Sequence, residues 1–164
     1  MISKISKEIE LVQNPSLGAG IIWRFICGYF SGNQKSTPFP LLFIVLPMIF
    51  REDILYEIYH TNKSSGLTKV SQKMFACKKN DLLFNIHTSA DYLKDLTLES
   101  IRIGLATSLI AIEKESGSVF PLTRTSYKKF SKPVKDHLSA SEKLGFWCSK
   151  FTIYEISRLL RVRF

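Results

Sequence analysis

Few side chains in this chain have the type and spacing that chemistry needs. The three histidines, His60, His87 and His137, each stand alone in the sequence. A metal centre needs several N or S ligands at short, regular intervals, so each histidine is expected to top a helix or to pair with a backbone group. Cys27, Cys77 and Cys148 are widely spaced, odd in number and include no C-x-x-C pair, which suggests neither a zinc site nor a disulfide framework. They read as reduced thiols, with Cys27 and Cys148 on apolar helix faces where a thiol behaves as a small hydrophobe. Glu52 and Asp53 could be paired carboxylates, but adjacent helical residues diverge by about 100° and would not converge on one substrate. Asp91, Asp95 and Glu99 lie around a helix junction with Lys94 among them, a pattern of surface pairing. Gly18 and Gly20 are spaced like a fragment of a dinucleotide fingerprint, yet they sit inside a helical run with no preceding strand. Close helix packing is the better reading. The sequence contains no G-x-x-x-x-G-K-[ST] loop, no G-x-S-x-G elbow and no H-E-x-x-H. It reads as non-enzymatic, with no cofactor and no metal.

What remains are residue types that bind partners. Trp23 and Arg24 are neighbours in an otherwise apolar run, and Trp and Arg are the side chains most enriched at interface hot spots. Being adjacent, they point to different sides of a helix, so one can face the core while the other meets a partner. Trp147 reads as core. Arg124 to Phe164 holds ten basic residues against three acidic ones, which is +7 of the total +9. Such a patch favours an acidic protein surface or a nucleic-acid backbone. The candidate interface residues are therefore Trp23, Arg24, Arg158 and Arg161, and the candidate acidic-partner patch is Lys128, Lys129, Lys132, Lys135 and Arg163. Base-specific reading is not expected, because Thr97 to Ile112, the helix placed to enter a groove, offers only Arg102.

The elements that position these residues follow from period and caps. Asn14-Pro15 is a helix start, and the helix is expected to run to about Phe30, ending near Gly28 to Gly32. It is apolar on nearly every side, so it lies deep in a core or against a partner. A polar turn, Ser31 to Pro40, precedes a buried helix over Leu41 to Phe50 that continues in period through Ile58. Further helices are expected from Leu67, from Asn80 (carrying Ile86, Ala90 and Leu93), and from Thr97. The last carries Leu98, Ile101, Leu105, Leu109 and Ile112 on one stripe. Around Ser116-Gly117-Ser118 the period changes, predicting a β-hairpin between Ile110 and Phe120. Lys132-Pro133 then starts a helix with Leu138, Ser141, Leu144 and Cys148 inward, and Thr152 to Glu155 is a capping box for a last one. The fold class is mainly α (α+β), a compact helical domain with a winged-helix-like hairpin.

At 164 residues, with 45% hydrophobic and 23% charged, the chain has the balance of one folded domain. Residues 1–13 read as an N-terminal extension and 14–164 as a single helical domain. The longest apolar stretch, Pro38 to Phe50, is shorter than the ~20 residues that span a bilayer. Met1 to Glu10 carries no secretory core, and the expectation is a cytoplasmic protein that meets no membrane.

Two segments carry a family resemblance: Asn14-Pro15 through Trp23-Arg24-Phe25, and Pro40-Leu41-Leu42 through Leu46-Pro47. Weaker echoes are Ser65-Gly66-Leu67, Leu96-Thr97-Leu98-Glu99 and Ile153-Tyr154-Glu155-Ile156 to Arg163. In this order they resemble the middle component of three-component ABC ATPase systems, the small subunit between an SMC-like ATPase and an effector in Lamassu-type prokaryotic defence. The resemblance implies a non-catalytic adaptor that bridges the SMC-like ABC ATPase to an effector, expected to be a nuclease, with DNA met through the complex. It carries over no catalytic residues. The alternative is a winged-helix-type protein with non-specific DNA affinity.

Overall fold

Asn14 accepts hydrogen bonds from the backbone N–H groups of Ser16 and Leu17 at 3.0 and 3.1 Å, and Pro15 takes the first helical position. These satisfy donors a helix start leaves orphaned, and α1 follows over Pro15–Asn33. The computed structural model describes residues 14–76, 81–126 and 129–164. The expected extension over 1–13, Cys77, the Asn80 cap, Tyr127 and Lys128 lie outside these residues. From Ile21 to Tyr29 every residue of α1 is buried, as its all-round apolarity requires. The helix does not stop near Gly28 to Gly32, as the sequence suggested. It runs on to Asn33, where Gln34 turns left-handed at φ 58°.

The reason lies in α7, Lys132–Cys148. A Cβ on Gly28 would fall 1.9 Å from the Glu142 carbonyl oxygen, and one on Gly145 2.0 Å from that of Phe25. A Cβ on Gly32 would fall 1.9 Å from the Ser149 hydroxyl. These glycines are contact points between two backbones, so they are interior to the helices and not terminators. The Ser141 hydroxyl donates to Ile21 O at 2.7 Å, Asn33 Nδ2 to Ser149 O at 3.1 Å and Lys150 Nζ to Gly32 O at 2.6 Å. The paired positions rise together along both helices, so α1 and α7 run parallel.

The other elements wrap this pair. A 3₁₀ turn, Phe39–Leu41, leads into α2, Leu42–Ile49, whose residues are almost all buried. The helix expected to continue through Ile58 breaks at Arg51, which is extended at φ −88° and ψ 117°. Glu52 and Asp53 suit the start of a new helix, α3, Glu52–Tyr59, where acidic groups face the positive dipole end. Only Ile54 and Ile58 of α3 are buried. Next come α4, Gly66–Ala76, α5, Asp81–Tyr92, and α6, Lys94–Ala106. Leu67, Val70, Met74, Ile86 and Leu93 join the core.

On α6 the stripe read from sequence is corrected. The helix starts at Lys94, before Thr97, and it buries Thr97, Ser100, Ile101 and Gly104, leaving Leu98 and Leu105 41% and 36% exposed. The inward face is small because Gly18 of α1 meets Ser100 there, 2.2 Å from where its Cβ would lie. Leucines on that face would hold the two helices apart.

The hairpin forms where expected. β2, Ile110–Ile112, pairs antiparallel with β3, Ser118–Pro121, around a turn at Gly117 with φ 65°. A strand not foreseen in the polar turn, β1 (Thr37–Pro38), adds to the other edge of β3, with Thr37 opposite Val119. Two residues cannot show a period, so the sequence carried no sign of it. The capping box closes as read, Glu155 N–H to Thr152 Oγ1 at 3.2 Å and Thr152 N–H to Glu155 Oε2 at 2.7 Å. It starts α8, Ile153–Leu160, which packs on α4 and accepts the Ser71 hydroxyl at Leu159 O, 2.8 Å away. The outcome is mainly helical with one small antiparallel sheet, the α+β class expected.

This packing sets two glycines apart. Gly28→Ala should destabilise the chain by about 3 kcal/mol or more, since overpacking here meets backbone on both sides. Gly20→Ala meets only Leu138 at 3.6 Å and should be neutral or stabilising by up to about 1 kcal/mol, the helix-propensity gain of Ala over Gly. Urea melts of the two variants check this; equal midpoints would contradict the seam.

Candidate functional site

A tryptophan N–H and a guanidinium inside an apolar helix must find hydrogen-bond partners when buried. Trp23 and Arg24 are each 7% exposed, and both find theirs on one segment of chain. Trp23 Nε1 donates to Thr123 O at 2.8 Å, and Arg24 Nη1 to Thr125 O at 3.2 Å. The Cys27 thiol leans on the same Thr123 carbonyl at 3.6 Å. Arg24 Nη2 also pairs with the Glu142 carboxylate of α7, and the Arg24 guanidinium sits 5.0 Å from the centre of the Trp23 ring. The stretch leaving β3 is thereby strapped across α1. Leu122 N–H, bonded to Leu109 O at 2.9 Å, extends the hairpin into the strap. The polar ends of Trp23 and Arg24 are thus engaged within this chain.

The strap roofs a trough between α1, α6 and the first turns of α7. It has a volume of about 620 Å³, with the Trp23 ring, Leu17, Ile103, Leu109, Phe130 and Val134 among its walls. Among the described residues none lining it is charged; its polar groups include the hydroxyl-bearing Ser16, Thr107, Thr125 and Ser126. Phe130 stands 52% exposed at the edge.

The basic residues singled out from sequence fall into separate places. Lys129, Lys132 and Lys135 lie along the stretch that enters α7, interleaved in sequence with the trough-lining Phe130 and Val134. Lys128 lies outside the described residues. Arg158 lines a different hollow with Thr68, Phe151 and Glu155, its guanidinium 5.9 Å from the Tyr154 ring. Arg161 and Arg163 line a third with His87 and Thr88. Lys129, Lys132 and Lys135 thus share one short stretch of chain and Arg161 and Arg163 one hollow, while Arg158 lines another.

Other cations of the same stretch have internal work. Lys143 donates to the carbonyls of Ile58, Tyr59 and Thr61 at 3.1, 3.0 and 3.0 Å, closing the C-terminal end of α3 where a positive charge is favoured. Burial lowers its pKa. Lys150 holds Gly32 O, and Arg124 stacks 5.3 Å from the Phe30 ring. His60 and His137 pair through Nδ1 with the backbone carbonyls of Tyr56 and Pro133, at 2.9 and 2.6 Å. Among the described residues no group of His, Cys, Asp and Glu is placed to hold a metal ion. Sequence reasoning missed the trough walls, because Leu17, Ile103, Phe130 and Val134 come from three separated segments. It also missed the glycine seam, though Gly28-x-x-x-Gly32 and Ser141-x-x-x-Gly145-x-x-x-Ser149 were a usable signal.

Burial raises both described thiols, Cys27 from 9.0 to about 11 and Cys148 from 9.0 to about 12. Above pH ~9 the unfolded chain ionises these thiols while the folded one holds them protonated, so their contribution to stability is complete below that pH and is lost as pH rises through about 11. At pH 8, iodoacetamide should leave the Cys27 and Cys148 peptides unmodified in the native chain and label them in urea, as read by mass spectrometry. Trp23→Phe replaces the indole by a smaller phenyl ring and removes the N–H, so it should cost about 2 kcal/mol or more, a lost hydrogen bond plus lost packing, and speed amide exchange across residues 122–126. Arg24→Met removes the cation that pairs with the partly buried Glu142 carboxylate and donates to Thr125 O, and should cost about 3 kcal/mol. Unchanged exchange across 122–126 in Trp23→Phe would remove its role as a tether.

No curated protein and no solved structure matches this chain at a significant level. The family described as ABC-three component (ABC-3C) system Middle Component 3 matches it over residues 2–164, nearly its whole length, in agreement with the likeness carried by Asn14 to Phe25 and Pro40 to Pro47. Given the length of that match, the chain belongs to the Middle Component 3 family of ABC-three component systems.

Proposed function

We propose that this chain is the non-catalytic adaptor of a Lamassu-type antiphage or anti-plasmid defence complex, bridging an SMC-like ABC ATPase to an effector nuclease in the cytoplasm. The observation that carries this reading is the family match over residues 2–164, which makes the chain a component of an ABC three-component system. The use of its polar side chains supports an adaptor role. Arg24, Glu142, Lys143 and Trp147, the large polar groups packed in or near the core, are directed at carbonyls or at each other, which builds a rigid body. A protein that holds two others needs such a body and a surface, and needs no reactive group of its own.

A second reading is direct, non-specific binding to duplex DNA, favoured by the net charge of +9 and by the exposed Lys129 and Lys132. Two lysine–phosphate contacts would give a slope of log affinity against log salt of about −2, with little sequence preference.

Reconstitution separates the two. Size-exclusion chromatography of the chain with the ATPase and the effector should show one assembly in which ATPase and effector do not associate when the chain is left out. The chain alone should hydrolyse neither ATP nor DNA. Association of ATPase and effector without it would refute the bridging role. Salt-tolerant, sequence-specific DNA binding by the isolated chain would refute both readings.

A further inference from the structure

The apolar trough beside the α7 entrance has a chemistry that specifies its occupant. Among the described residues its walls are aliphatic, aromatic and hydroxyl-bearing, without a charged group, and it is an open trough, not an enclosed cavity. A nucleotide or other charged small molecule would find no counter-charge among its described walls. A single nucleic-acid strand would need a ladder of exposed aromatic faces, which these walls, with Trp23 and Phe130 among mostly aliphatic groups, do not provide. An amphipathic helix laid lengthwise matches it, since such a helix presents apolar anchors at every third or fourth position to a groove of this kind.

The rim decides the charge of that helix. Lys129, Lys132 and Lys135 stand where the chain enters α7, opposed locally by Asp136. Because α1 and α7 run parallel, both of their N-terminal ends, each carrying a partial positive charge, lie at this same end. Neither helix has an acidic residue in its first turn to offset that charge. A second copy of this chain, itself +9, is a poor electrostatic match.

We infer that the trough roofed by the 122–126 strap is the docking site for a helical segment of one of the other system components, apolar along one face and acidic at the end that meets Lys129, Lys132 and Lys135. This rests on the adaptor reading above and gives that reading a surface. Half-exposed Phe130 and the partly buried Val134 are the anchoring contacts, and the three lysines set orientation and the rate of encounter.

The test uses the full chain with the purified ATPase and the purified effector, each titrated separately by biolayer interferometry. Phe130→Asp should weaken binding to one of them by about tenfold or more, the effect of losing an interface anchor, with an unshifted thermal melt. Lys129→Glu, Lys132→Glu and Lys135→Glu together should weaken the same contact at low salt, and the deficit should shrink as salt rises. Lys69→Glu with Lys114→Glu, exposed on α4 and in the hairpin turn, should leave that contact unchanged. A photo-crosslinking residue at position 130 should join this chain to a partner helix bearing an acidic end. If the wild-type chain binds neither component, the adaptor reading fails. If it binds but the trough and lysine variants bind equally well, the trough assignment alone is overturned. Cross-links confined to a second copy, or a loss seen only in DNA binding, overturn it too.

Discussion

Two helices touching backbone to backbone govern this fold. Gly28 and Gly145 let the Glu142 and Phe25 carbonyls approach to where a side chain would otherwise be, and Ser141 and Ser149 continue the small surface on either side. Close approach multiplies dispersion contacts and admits weak Cα–H to carbonyl contacts, each modest but numerous along the seam. It also fixes the axial and rotational register of α1 against α7, because only one alignment puts glycine opposite carbonyl. That register decides where Trp23 and Arg24 point, and so where the strap can be held. The trough exists because the strap is held there, above an α6 face kept small by Gly18 and Ser100.

The readability of this chain tracks the length of its signals. Asn14-Pro15, the Thr152 to Glu155 capping box and the Ser116-Gly117 turn are local devices whose chemistry is complete within four residues, and each formed as read. The stripe on α6 failed because hydrophobicity was taken as the mark of the buried face, whereas helix proximity there selects serine, threonine and glycine. β1 is set by β3, about 80 residues later, and nothing within Thr37–Pro38 announces it. The α1 terminus was misplaced for the same reason. A glycine can end a helix or let another helix come close, and only the partner tells which.

The basic C-terminal quarter shows why net charge is a poor guide to surface charge. Lys143 and Lys150 bind carbonyls, and Arg124 covers a phenylalanine ring. Arg158, Arg161 and Arg163 turn toward α4 and α5 and away from the α7 entrance. A count of +7 that looks like one patch in sequence becomes separate groups once helices carry its members in different directions. Trp23 and Arg24 teach a related lesson: residue types common at interfaces are also those that tether a loop to a core.

The α1–α7 seam has a temporal side as well. Ser141 and Ile21, joined by a hydrogen bond, are 120 positions apart, so the contact that organises the core closes across most of the chain. Long-range closure of this kind slows folding, since loop entropy is lost before any contact repays it. During synthesis α1, almost wholly apolar, leaves the ribosome well before α7 is made, an interval of roughly ten seconds at 5–20 residues per second. Throughout that interval its Ile21 to Tyr29 surface lacks the α7 backbone it packs against most closely. Production of the folded subunit is therefore sensitive to translation speed and to chaperones that hold exposed apolar helices.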